Sequence, residues 1–283
     1  MSLLETSAIQ THCRPAIRMP FPCSLRRAFD PFIPPIVIFL GSAFGIYTFV
    51  HLLLIERKPS FAFNRQRWSD ENSARLLRVL GPILIKESLL VVPHLAKQAD
   101  GIVIDVGPGT GQNLRHFDRQ RVTKLFLIEP NEILHAELRV NLKNAGLSEI
   151  STILPCGVQD TSALESYGLS RCTVDTIITV NVLCCVPAEK STYESLYALL
   201  KPGGQWLVYE HVIAEPQYRT SRLFQNVYAT LWPFFLGGCN INRDTSEALK
   251  RAGSWEKVDL GRKEGEVGWE MLGHVVGKLI KRK

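Results

Sequence analysis

Between Ile36 and Ile55 the chain reads IVIFLGSAFGIYTFVHLLLI, twenty positions without a formal charge and with His51 as the single ionisable side chain. At about 1.5 Å per residue, a helix of this length spans about 30 Å, the hydrocarbon thickness of a bilayer. Pro34 and Pro35 precede the run and Glu56-Arg57-Lys58 close it. The pattern predicts a membrane-anchoring helix over 33–55; a buried core helix is the alternative. Residues 1–32 carry scattered prolines and arginines without a period and are expected to form a flexible leader. Their poverty in acids leaves a mitochondrial transit peptide open. Arginines upstream (Arg14, Arg18, Arg26, Arg27) balance Arg57, Lys58, Arg65, Arg67 and Arg75 downstream, so charge does not set the orientation.

Residues 56–100 read as a helical segment. Ser69-Asp70-Glu71 offers a cap for a helix carrying Ala74, Leu76, Leu77, Val79 and Leu80. Gly81-Pro82 is expected to break it, and a second apolar stretch, Ile83 to Leu95, is interrupted at Pro93. From Gly101 the pattern changes. Short apolar runs (GIVIDVG, KLFLIEP, VDTIITVN, QWLVYEHV) alternate with helical stretches such as 131–145 and 187–200. This predicts an α/β fold over 101–283, a doubly wound parallel sheet with helices on both faces.

Composition narrows the function. Hydrophobic residues make up 46% and charged residues 21%, which excludes a largely disordered chain. The net charge of +6 is spread along the chain rather than clustered into a stripe. No nucleic-acid partner is expected, and acidic membrane lipid is the better match. Seven cysteines form no C-x-x-C pair and no Cys/His zinc spacing, so no metal site is expected. Most lie in apolar company, where a free thiol acts as a small hydrophobe, and a reducing, cytosol-facing compartment follows.

The first strand ends Asp105-Val106-Gly107-Pro108-Gly109-Thr110-Gly111, with Gln112-Asn113 after it. Glycines at this spacing allow a sharp turn and let a ligand approach the backbone, and a helix beginning there would offer free N–H groups. The dinucleotide fingerprint needs a glycine where Gln112 stands, so a pyrophosphate site is a poorer match. Taken alone, the loop is equally an isolated turn. The second strand ends Ile128-Glu129-Pro130, and a carboxylate at that strand end can accept hydrogen bonds from both ribose hydroxyls. The alternative is that Glu129 favours the N-terminus of the next helix.

With these motifs in order, residues 101–212 resemble the class I S-adenosylmethionine-dependent methyltransferases. The resemblance implies a Rossmann-like sheet and S-adenosyl-L-methionine as cofactor. It implies cofactor contacts at Asp105, Gly107, Gly109, Thr110, Gly111, Asn113, Glu129, Pro130, Gln159, Asp160, Asn181 and Val182. The hydrophobic anchor, Val182-Leu183-Cys184-Cys185-Val186, Glu210-His211-Val212 and Gly238-Cys239-Asn240-Ile241-Asn242-Arg243-Asp244 resemble the animal membrane-anchored alkyl thiol S-methyltransferases. The chain departs from that family at Pro108 and Glu129, and the tail after 255 looks unrelated.

The resemblance implies a lipophilic small-molecule thiol as methyl acceptor, and a single-pass protein of the endoplasmic reticulum or lipid-droplet surface with its catalytic domain facing the cytosol. Methylation of oxygen, nitrogen or carbon on a lipid or quinone is the enzymatic alternative; a non-catalytic membrane-surface protein is the other. His211, at the carboxyl end of the fifth strand, is the candidate base, with a structural histidine as the competing reading. Tyr228, Trp232, Phe234 and Phe235 are candidate walls of the acceptor site.

Overall fold

In the computed structural model, which describes residues 29–187 and 190–283, alternate strand residues feed two apolar layers. The leader and transit-peptide expectations lie outside the described residues as far as position 28. Strands β1 (Gly101–Val106), β2 (Val122–Ile128), β3 (Ser151–Leu154), β4 (Val174–Val180), β5 (Leu200–His211), β6 (Trp255–Arg262) and β7 (His274–Lys281) form one sheet in the order β3-β2-β1-β4-β5-β7-β6. Ile104, Phe126, Ile128, Ile177, Trp206 and Val208 face one buried layer, and Val103, Leu125, Leu127, Ile178 and Leu207 the other. This is the period-2 alternation of a sheet covered on both sides.

The first five strands run parallel, as the pattern predicts. The last two do not. β7 is antiparallel to β5, and β6 to β7. The connection from Arg262 to His274 is too short for a helical crossover, so the chain reverses as a hairpin. The tail after 255 thus completes the sheet.

Five helices of ten residues or more occur among the described residues: α1 (Ile33–Val50), α2 (Arg65–Ser88), α3 (His135–Asn144), α4 (Lys190–Leu199) and α5 (Arg219–Tyr228). The apolar helix as a whole runs from Asp30 through a π-turn to Ile55, 26 residues, and is long and apolar enough to cross a membrane by length and composition. Pro34 and Pro35 sit in its first turn, where a missing N–H costs nothing. Only 22% of its most apolar stretch is buried, which does not suit a core helix. The buried stripe contains Pro34, Gly41, Gly45, Thr48 and Leu52. Phe39, Leu40, Ile46, Leu54 and Ile55 are exposed. At Gly41 an added Cβ would lie 3.1 Å from Phe235 Cβ, so a small residue lets the helix seat closely against Phe235.

The helical segment 56–100 differs from its sequence reading. α2 starts earlier, capped by Asn64, whose side chain accepts from Arg67 N at 3.0 Å. It also runs straight through Gly81-Pro82. Proline costs a helix one hydrogen bond, but packing of the buried Gly81 against the Gln112 side chain supports the helix across it. Pro93 opens a separate short helix, Val92–Ala96.

Arg75 of α2 fastens the two helices. It donates to Glu71 at 2.8 Å and to Glu56 just past the end of α1, and its Nη1 lies 3.2 Å from His51 Nδ1. Hydrogen bonds from Lys58 and Arg75 hold the Glu56 carboxyl down at about 2. Arg75→Ala leaves two acids without their shared cation, and limited proteolysis should then cleave between Glu56 and Asn64 several-fold faster than in the wild type.

Candidate active site

A cavity of about 520 Å³ opens at the carboxyl ends of β1, β2 and β4, with α2 along one side. Its floor is the loop Gly107–Asn113. Gly107 N continues the sheet by donating to Ile128 O at 2.9 Å, and the residue then turns at φ +61°. A Cβ there would fall 2.3 Å from Val182 Cγ2, so only glycine fits. The Asn141 side chain of α3 holds the loop from behind through Thr110 O at 2.7 Å.

Glu129 braces the same loop. One carboxylate oxygen accepts from Gly109 N and the other from Asn131 N, both at 2.9 Å. Each oxygen retains a further lone pair. Burial raises this carboxyl, and the two backbone donors oppose the rise. Asp105 is buried beside it, and no described residue donates a hydrogen bond to its carboxyl. Burial first, and the Glu129 charge second, push it up to about 8. Asn181, on the opposite wall, takes the left-handed conformation at φ +52°, and its buried Oδ1 has no partner.

The turn after β4 carries two cysteines into this region. The buried Glu210 accepts from Val182 N and Leu183 N, each at 3.0 Å, and is pushed up to about 8 by burial. Arg243 donates to Leu183 O and Val186 O from the other side. Asn240 N donates to Cys184 O at 3.0 Å, which brings Cys239 against the turn. Hydrogen bonds from Cys184 and Cys185 hold the Cys239 thiol well below the usual thiol range.

The structure brings Asp105, Gly107, Gly109, Thr110, Asn113, Glu129, Pro130, Gln159, Asn181 and Val182 onto this one cavity. Gly111 and Asp160 do not line it. Gly111 is a packing position, where a Cβ would strike Leu138 and Leu114 at 2.6 and 2.7 Å. Asp160 caps the helix Thr161–Ser166 by accepting from Ala163 N. The loop runs into a single 3-10 turn, Leu114–His116, so the helix N-terminus expected there is missing.

His211 also stands off the cavity wall. Its ring lies 4.6 Å from that of His274, its Nδ1 is buried without a partner, and burial lowers its proton affinity. Tyr228, Trp232, Phe234 and Phe235 do not line the cavity either. Trp232 is buried with Cys184, Cys239 and Ile241, and Val37 and Ile38 of α1 pack on that cluster.

Sequence reasoning missed the wall built by α2: Ser69, Asp70, Ser73, Leu77 and Ile85. The helical spacing of Ser69, Ser73 and Leu77 was the available signal. It also missed Cys185, Gly237 and Gly238.

A family described as a methyltransferase domain matches residues 77–254, a span that holds the glycine loop, Glu129 and the Glu210 turn. The chain belongs to that family. Thiol S-methyltransferase TMT1A of Homo sapiens is 28% identical over 182 residues, covering 63% of this methyltransferase and 70% of the relative. Thiol S-methyltransferase TMT1B of Rattus norvegicus is 26% identical over 181 residues with the same coverage. An O-methyltransferase family protein from Burkholderia thailandensis superposes with a TM-score of 0.55 at 15% identity, over 87% of this chain and 71% of its own. The CurJ carbon methyltransferase does so with a TM-score of 0.55 at 13% identity, over 92% and 70%. These two likenesses establish the fold.

This methyltransferase uses S-adenosylmethionine. Its cavity fits that ligand. An unpaired buried carboxyl at Asp105 and an orphaned amide oxygen at Asn181 suit a cationic ligand with N–H donors.

Two outcomes follow from these acids. Glu129→Ala should weaken S-adenosylhomocysteine binding at least about tenfold in calorimetric titration, because it removes charge-assisted bonds and the brace on Gly109. Asp105 has a folded-state affinity for its proton above the unfolded value, so its effect on stability becomes less favourable as pH rises from about 4 through about 8. Asp105→Asn should therefore stabilise the ligand-free protein at pH 8 by about 1–3 kcal/mol, with little gain at pH 4, while weakening S-adenosylhomocysteine. Denaturant melts at the two pH values measure the difference.

Proposed function

We propose that this protein is a membrane-anchored methyltransferase whose acceptor is a lipophilic small-molecule thiol. The observation that carries the reading is the packing of α1 on the chain segment that also forms the cavity wall. Phe235 seats against Gly41, and Gly237 and Gly238 just beyond it line the cavity beside Cys185 and Val186. An acceptor dissolved in lipid would thus meet the protein near its acceptor end. The relatives named thiol S-methyltransferases support sulfur as the attacking atom. The five described cysteines are all free, which supports a domain on the reducing, cytosolic side of the endoplasmic reticulum or a lipid droplet.

S-adenosylmethionine supplies an electrophilic methyl group on a sulfonium. Glu129 would hold its ribose hydroxyls, Asp105, Asn113 and Asn181 its amino-acid end, and Gln159 its adenine side. The Gly107–Gly109 backbone leaves room for close approach. The chain's task at the acceptor is to position the sulfur in line behind the methyl carbon. An alkyl thiol is a few per cent ionised at neutral pH, so positioning and stabilisation of thiolate do most of what is needed. His211, off the wall and kept neutral by burial, fits a structural role better than a base.

The test uses the full-length chain in lipid discs with a mixed panel of alkyl thiols, phenols, quinols and lipid amines. Mass spectrometry should find the methyl group on thiol sulfur. Methylation confined to oxygen, nitrogen or carbon would overturn the thiol reading. Alkaline carbonate should leave the full-length chain in the membrane pellet; its release would overturn the anchor.

A further inference from the structure

Three thiols from two distant segments meet beside the cofactor cavity. Cys184 and Cys185 lie in the turn after β4, and Cys239 follows the short helix Trp232–Phe235. Their sulfur atoms all lie within 4.8 Å of one another, and those of Cys184 and Cys185 are 3.6 Å apart. The convergence is enforced from outside the sulfurs. Glu210 fixes the backbone N–H groups of the turn, Arg243 fixes its carbonyls, and Asn240 N ties the second segment to Cys184 O. Thiols are weak donors and weak acceptors, so their mutual contacts give little reason for so firm an arrangement.

The cluster has a buried side and an open side. Cys184 and Cys239 are buried, whereas Cys185 is exposed and lines the cofactor cavity with Gly238. We propose that Cys184, Cys185 and Cys239 form a site for one thiophilic metal ion of the zinc class, on the acceptor side of the cofactor cavity. Soft sulfur ligands select zinc-class ions over magnesium or calcium. Three protein ligands leave a fourth tetrahedral position, the arrangement of catalytic rather than structural zinc.

The fourth position would face the cavity through Cys185, and a thiol fits it. This extension rests on the thiol-acceptor reading. On coordination the acceptor thiol releases its proton to solvent. Its sulfur lone pair then forms the new carbon–sulfur bond. The methyl–sulfonium bond breaks, and its electron pair stays on the departing thioether. No oxidant or reductant is needed. The site would thus supply the thiolate without calling on His211, which stands off the cavity wall.

The probe is cobalt(II), titrated anaerobically under a phosphine reductant into metal-stripped full-length protein in detergent micelles. One equivalent should produce the intense visible bands of tetrahedral thiolate cobalt, and zinc(II) should abolish them. A short alkyl thiol should then shift the bands. Cys239→Ser should weaken cobalt by more than about 100-fold, beyond what outer partners of a metal site carry, with S-adenosylhomocysteine affinity unchanged as the check on folding. A second measurement needs no variant: zinc(II) should protect Cys184, Cys185 and Cys239 from iodoacetamide and leave Cys156 and Cys172 reactive. Absent bands, bands that persist in Cys239→Ser, or protection that extends equally to Cys156 and Cys172 would overturn the site. That failure beside intact thiol methylation would leave the proposed function standing. Intact bands without methylation of any thiol would instead refute the acceptor reading and the fourth-position extension.

Discussion

A carboxylate with no exposed surface, Glu210, holds the turn on which both sides of the cavity depend. Burying that charge is costly, as its rise to about 8 records. The backbone N–H groups of Val182 and Leu183 offset the cost, and Arg243 grips the carbonyls of the same turn. With the turn fixed, Val182 can pack within reach of Gly107, and Asn181 can be held in a left-handed conformation at the cofactor wall. On its far side the turn presents Cys184 and Cys185. One buried acid therefore sets the spacing between the glycine loop and the acceptor end.

The parts of the fold visible in the sequence are those governed by local period. The four apolar runs became strands because each is buried on both faces, and Glu129 falls beside the glycine loop because β1 and β2 pair in register, Asp105 against Leu127. The parts that were hidden depend on tertiary contact. Pro82 reads as a breaker, yet α2 passes through it because Gly81 has Gln112 to pack on. Asp160, expected among the cofactor contacts, serves as a helix cap. His211 lies at the right strand end, but a neighbouring strand, β7, covers it with His274. The cysteine cluster has no sequence spacing at all, since more than fifty residues separate Cys185 from Cys239. A search for zinc motifs cannot see it.

The cavity also shows where stability has been given up. Asp105 is unpaired, Asn181 leaves an orphaned oxygen, and a non-glycine residue occupies the left-handed region there. Each feature is unfavourable in the ligand-free chain and each borders the same cavity. The fully buried Gln225 is satisfied in the way that Glu210 is: its side chain accepts from Ala214 N and donates to the carbonyls of Ile241 and Met271. Gathered around one cavity, these three features suit a site completed by its ligand.

The seam of small residues on α1 has a kinetic consequence under the proposed membrane setting. Gly41 and Gly45 seat the helix directly on Phe235 and Trp68, so the catalytic domain has little slack relative to the bilayer. An acceptor that partitions into lipid would then reach the protein by two-dimensional diffusion. Its saturation would follow mole fraction in the membrane, and diluting the acceptor with inert lipid would slow turnover at constant bulk concentration. S-adenosylmethionine, arriving from water, would show no such dependence, and the two substrates would obey different concentration scales in one active site.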